Sequence, residues 1–371
     1  MKLTIDQALH CANVFSNYFD KFEKIDDYIR DQKLNSLSDR PITLPGMGPE
    51  EDLFSDFTIH PNDMDFELVE LPQERWYLYL NMISSHSSTS SIPGRNFRLA
   101  VLEKNTNKWV GFIRLGSPVI NMKPRHELLG GIFTQSKDIA TAFNQTTIMG
   151  FSIVPSQPFG FNYLGGKLLA AICCSHWVRD QLNKKYDMNT CMFETTSLYG
   201  TTKSSSQYDG MKPYLRFKGL TDSEFLPLMH GKPYEDLRNY VENIVGEIVP
   251  IEASSRKLKI SNRIISLTKV GLKGHPEYDK FMATINKALA LTEKKRYYYS
   301  NYGYSNFADV VMGRTDKLIP DKENYDKFQL ENIINWWKKK ASNRYENLKT
   351  EGRIRNEIEV WTGEKELDII R

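Results

Sequence analysis

The feature that most constrains this chain is the order of apolar segments in its middle third. Residues 97–102 and 108–115 are rich in Phe, Leu, Val, Trp and Ile and are separated by Asn105-Thr106-Asn107. That pattern predicts two strands joined by a tight turn. Residues 146–154 form a third strand-like run. A loop with two prolines and Gly160 follows, then a helical stretch opened by Gly165-Gly166 and continuing to about residue 183. Residues 190–197 close the series as a further strand. Hairpin, strand, loop, helix, strand is the order of an α/β (α+β) domain with a mixed sheet.

The flanks read as mostly helical. Residues 5–36 place Ala8, Val14, Phe15, Tyr18 and Phe22 mainly at three- and four-residue spacings, so one long helical stretch is expected there. Residues 51–80 read as one or two strands, with a helix around 72–82. Residues 236–248, 276–293 and 324–350 are helix-like, and 256–271 fits either a strand or a short helix. The Ser-rich run 84–91 reads as a polar loop.

No run of about 18 apolar residues occurs, so no membrane span is expected, and the first residues carry no apolar leader. The four cysteines include no C-x-x-C pair and the seven histidines no H-E-x-x-H. The expectation is therefore a cytoplasmic protein with reduced thiols and no metal site.

Charge is distributed unevenly. Residues 1–80 hold 7 Lys/Arg and 16 Asp/Glu, whereas residues 251–300 hold 11 and 4. A cationic stretch of this kind suits a polyanion, because bound phosphates release condensed counterions. Arg256, Lys257 and Lys259, with Lys294, Lys295, Arg296 and Tyr298, are the candidate nucleic-acid contacts. The Tyr run 297–299 beside three cations adds stacking surface. A solvated basic surface with a packed Tyr run is the plain alternative.

The loop after the third strand is the clearest chemical signal. Free N–H groups at a helix start, aided by the helix dipole, bind phosphate. Val154, Gln157, Gly160, Asn162, Gly165, Gly166 and Lys167 are the candidate cofactor-binding residues. The loop is not a Walker loop, since Phe161 and Leu168 occupy the positions that this motif gives to Gly and to Ser or Thr, and it is not a G-x-G-x-x-G dinucleotide fingerprint either.

The run Met149 to Pro155, with Gly160 and then Gly165-Gly166-Lys167-Leu168-Leu169-Ala170, resembles the acyl-CoA-binding motif of the GNAT acyltransferase superfamily. The hairpin with Val110-Gly111-Phe112-Ile113 and the segment Tyr214 to Leu220 resemble that family's central and late strands. The resemblance covers residues 95–225 and implies an acyl-CoA or related small-molecule donor, whose pyrophosphate the loop amides would hold. It departs from the family pattern at Asn162 or Tyr163, depending on the register. The string Thr195 to Gly200, continuing through Ser204 to Asp209, is similar to a GNAT-like group of phage and defence-island proteins. That group includes proteins like DruA of Druantia systems and, more distantly, the phage Mom DNA-modification protein. A nucleic-acid setting in a bacterial host is what this likeness implies.

Acyl transfer from a thioester needs a base for the incoming amine and an acid for the leaving thiolate. Tyr208 stands where the superfamily often places that acid, with Tyr199 as its rival. Glu194 and Asp209 are the candidate bases. The expected organisation is an acidic, mostly helical region over residues 1–80, a GNAT-like core over 81–235, and a basic, mostly helical region over 236–371. The leading functional expectation is a transferase that modifies a nucleobase in DNA. The alternatives are a non-catalytic DNA-binding component of a phage or defence assembly, and a protein or small-molecule N-acetyltransferase.

Overall fold

The structure, a computed structural model, describes residues 2–37, 47–84, 94–131, 136–197, 206–221, 228–253, 256–291 and 294–361. Its contacts divide the chain into two compact units: Met1–Arg40 with Ser223–Glu293, and Pro41–Asp222 with Lys294–Arg371. The units follow neither of the expected boundaries, at 80 and at 235. Segments distant in the sequence build each unit, and the 236–371 region supplies helices to one and a sheet strand to the other.

The smaller unit is helical: α1 (Ile5–Phe19), α2 (Ile25–Leu37), and then α10 (Gly231–Val245), α11 (Arg256–Gly271) and α12 (Glu277–Ala290). The helical stretch expected over 5–36 breaks at residues 20–24. Thr4 and Gln7 form a reciprocal cap at the start of α1, which fixes where that helix begins. Phe15, Phe19, Val241, Ile264 and Phe281 make a core separate from that of the other unit. Residues 256–271, open between strand and helix in the sequence, are helical and bury Ile260, Ile264 and Leu267 on one face.

The larger unit is built on a seven-stranded sheet. Its strands are β1 (Phe66–Glu70), β2 (Asn96–Glu103), β3 (Lys108–Gly116), β4 (Thr147–Pro155), β5 (Met192–Ser197), β6 (Arg216–Leu220) and β7 (Arg296–Ser300). They lie in the order β1-β2-β3-β4-β5-β7-β6. Every neighbouring pair is antiparallel except β4 and β5, which are parallel. This is the mixed α+β sheet that the segment order predicts, and the hairpin at 97–115 is β2 and β3.

Helices cover both faces: α3 (Pro49–Asp52), α4 (Gln73–Ile83), α5 (Lys123–Leu129), α6 (Lys137–Thr146), α7 (Phe159–Tyr163), α8 (Gly165–Cys173), α9 (His176–Tyr186), α13 (Phe307–Val311) and α14 (Leu330–Thr350). Successive strand residues point to opposite faces. A Cβ on Gly111 would lie 2.5 Å from Leu169 of α8, whereas its neighbour Phe112 stacks on Tyr79 of α4. Helix α8 therefore covers one face and α4 the other, and α14 packs outside α7 and α8. The single helix expected over 164–183 is two helices. Ser175 starts the second by accepting a hydrogen bond from the Val178 amide.

Among the described residues no helix is long and apolar enough to cross a membrane.

Candidate functional site

The site is the place where the one parallel strand pair comes apart. The register of β4 with β5 runs from Thr147↔Met192 to Gly150↔Thr195 and goes no further, although β4 continues to Pro155 beside β3. Thr195 marks the fork, and its hydroxyl donates to the Gly150 carbonyl at 3.0 Å. Tyr208 sits at the same point. Its ring packs edge-on against Tyr298, and Thr195 and Gln207 hydrogen-bond to its side chain. Burial pushes its phenol well above the ordinary tyrosine range, so it is a donor and not a phenolate.

Asp209 follows Tyr208. Its Oδ1 accepts from the Tyr298 hydroxyl at 2.8 Å and from Arg296 Nη2 at 3.0 Å, and its Oδ2 accepts from the Ser206 amide at 3.2 Å. Burial also raises the Tyr298 phenol, to about 12. The structure thus joins two residues expected to act separately, a catalytic carboxylate (Asp209) and a DNA contact (Arg296), in one ion pair. Tyr199 lies outside the described residues.

Glu194 lies on the other side of the sheet. It is adjacent to Thr195 in β5, so its side chain points to the face opposite Tyr208. Its Oε1 takes the Arg125 guanidinium at 2.7 Å, and its Oε2 accepts from the Tyr297 hydroxyl at 2.7 Å. Both members of this ion pair have no exposed side-chain surface. Burial raises the carboxyl, while Arg125 and Tyr297 oppose the shift. Arg125 Nη2 also donates to the carbonyls of Val119, at 2.8 Å, and Ile120. Arg125 went unnoticed in the sequence. The available signal was Glu194 itself, because a carboxylate inside an apolar strand requires a buried partner.

The loop after β4 is packed rather than open. Within the stretch 155–162, expected as loop, residues from Phe159 onward form the one-turn helix α7. Val154 pairs with Phe112, so its side chain faces α4 and not α8. Gln157 Oε1 accepts from the Phe161 amide at 3.2 Å, and its backbone carbonyl accepts from Glu359 at 2.9 Å. Gly160 is tight against the Gln157 carboxamide. Asn162 exchanges two hydrogen bonds with the Arg355 backbone, at 2.8 and 3.1 Å.

At the start of α8, a Cβ on Gly165 would lie 2.6 Å from the Phe159 ring, and one on Gly166 would lie 2.2 Å from Gln207 Oε1. Lys167 Nζ donates to the carbonyls of Gln207, at 3.1 Å, and Asp209. Phe159 and the Gln207 side chain thus pack against the two glycines at the start of α8.

The seven candidate nucleic-acid contacts are divided between the two units. Arg256, Lys257 and Lys259 are on α11 of the helical unit, and Lys294, Lys295, Arg296 and Tyr298 belong to the sheet unit. Several are engaged within the fold. Arg256 pairs with Glu242 at 3.3 Å. Lys257 Nζ lies 3.0 Å from His230 Nδ1 and over the Tyr234 ring, and burial lowers its ammonium. Burial likewise lowers Lys295. Lys259 and Lys294 are exposed. Tyr297 and Tyr298 are buried in β7, which lies between β5 and β6, so the Tyr run is a sheet strand and not a stacking platform.

The fold and site define an α+β protein with a mixed sheet and a forked parallel pair, flanked by a polar cluster on one face and a buried ion pair on the other. Residues 52–207 match the family model of the Druantia protein DruA. The matched span takes in β1 to β5 with the helices between them. It stops one residue before Tyr208 and leaves out β6, β7 and the helical unit. No curated protein and no solved structure matches the chain.

Proposed function

We propose that this chain is a DNA-engaging component of an anti-phage defence system, with a transferase-like frame that does not take acyl-CoA. The match of residues 52–207 to the Druantia protein DruA supports the defence setting. The observation that carries the non-catalytic reading is the filled cradle at the start of α8, where Phe159 and Gln207 stand over Gly165 and Gly166. A cation-rich C-terminal helix supports a polyanionic partner.

A second reading, transfer of a group to a nucleobase, draws support from Tyr208, whose hydrogen-bonded ring marks the end of the β4–β5 pairing.

Two measurements on the full chain separate these readings. Calorimetric titration with acetyl-CoA is expected to show no binding. Mass spectrometry of nucleosides from the DNA of a bacterial host expressing the protein is expected to show none beyond those of the empty host. A new nucleoside that disappears in a folded Tyr208→Phe variant would overturn the non-catalytic reading and put Tyr208 in a transfer mechanism.

A further inference from the structure

Most cations of the sheet unit that the sequence singles out are turned inward or paired, and a second group of cations gathers around α7 and the outer flank of α14. Residues 338–355 carry seven Lys/Arg and two Glu. Helix α14 buries Ile333, Trp337, Ala341, Tyr345 and Leu348. Lys340 and Arg344, one turn apart, share one flank of that buried stripe. Arg344 and Arg355 lie over the same Phe161 ring, at 4.8 and 4.0 Å to its centre. Phe161 belongs to α7, immediately before α8, which carries Lys167.

The cations are close enough to oppose one another's charge. Lys340 helps to lower Lys167, after burial, and Arg353 and Arg355 do the same to Arg344. Arg353 and Arg355 have carboxylate partners, Glu351 at 2.7 Å and Glu359 at 2.8 Å. Among the described residues, Lys167, Lys340 and Arg344 have no carboxylate within salt-bridge distance. Beside them Trp336, partly buried, lies under Lys340 at 5.5 Å.

We propose that this surface, formed by Lys167, Lys340, Arg344, Arg353 and Arg355 around α7 and the outer flank of α14, is where the chain holds the phosphate backbone of duplex DNA. It rests on the reading of the protein as a DNA-engaging component, and it assigns that contact to residues other than the sequence candidates. Cations that repel one another when the protein is free gain most when a polyanion releases its counterions to them. A rigid helix that presents Lys340 and Arg344 about 5–6 Å apart offers a fixed row to a regularly spaced backbone.

The test is fluorescence anisotropy with a labelled 30-base-pair duplex over a series of salt concentrations, using the full chain. Lys340→Gln combined with Arg353→Gln removes two exposed charges without touching the Phe161 contact. Lys259→Gln on α11 serves as the comparison. Wild type should bind with a steep salt dependence. The double variant should bind about tenfold or more weakly at moderate salt, with a slope shallower by about two, whereas Lys259→Gln should behave as wild type. Unchanged affinity and slope in the double variant, with weakening by Lys259→Gln, would overturn the assigned surface and leave DNA engagement standing. Absence of salt-dependent retention by wild type would remove the underlying reading and the surface with it. Tighter binding of an RNA duplex of the same sequence would overturn the assignment to DNA.

Discussion

Glu194 shows how far a single residue can be read before its neighbours are known. Its place inside an apolar strand is equally consistent with a base and with a buried ion pair. In the fold, Arg125 and Tyr297 occupy both carboxylate oxygens, each at 2.7 Å. Arg125 in turn is held between Glu194, two main-chain carbonyls and the Phe143 ring. Removing one partner of such a pair leaves the other as an uncompensated buried charge, which costs about 3–5 kcal/mol. Glu194→Gln is accordingly expected to lower the unfolding free energy by roughly that amount in urea titrations. A folded variant within about 0.5 kcal/mol of wild type would show that Arg125 is satisfied without Glu194.

At the scale of elements, the central strands were legible because their apolar runs are short and bounded by turn signals, whereas β7, read from the sequence as a Tyr run beside cations, was not. The hairpin at 97–115 and the strand at 192–197 follow from those signals. The break between α8 and α9 was not legible, since apolar residues recur from Leu168 to Leu182 with no Gly or Pro between them and only Ser175 signals a restart. Gly111 lets α8 approach β3, because a Cβ there would meet Leu169 at 2.5 Å and the Val154 carbonyl at 2.9 Å. Gly111→Ala should cost about 1–3 kcal/mol through overpacking, read as a lowered denaturation midpoint with an unchanged slope. No loss of stability would mean that α8 shifts freely on the sheet.

For the whole molecule, the decisive feature is where the helical unit enters the chain. Strands β6 and β7 are neighbours, and at their ends the Thr221 amide donates to the Lys295 carbonyl at 2.8 Å. The segment 223–293 therefore leaves and returns at almost one point, as an insertion at the tip of a hairpin. Together with residues 2–37 it builds its own core. Excising residues 1–40 and replacing 223–293 with a short Asn-Gly turn should leave the sheet unit folded, with a single cooperative thermal transition. Loss of a cooperative transition would show that the sheet unit needs the helical one.

The sequence by itself determined the α+β class, the strand-rich centre and the helical flanks. It did so because burial periodicity and turn chemistry are local properties of the chain. Only the tertiary structure decided which charges are available. Lys257, Lys295 and Arg296 look like a basic region when read along the chain, yet burial or pairing engages each of them. Lys340 and Arg344 belong to a helix whose buried stripe is obvious, but their proximity to Lys167 and Arg355 comes from packing. The same holds for the glycines of the loop after β4, whose free space is set by Phe159 and by Gln207, forty residues or more further along the chain. Side chains that meet from distant parts of a sequence leave no spacing to read.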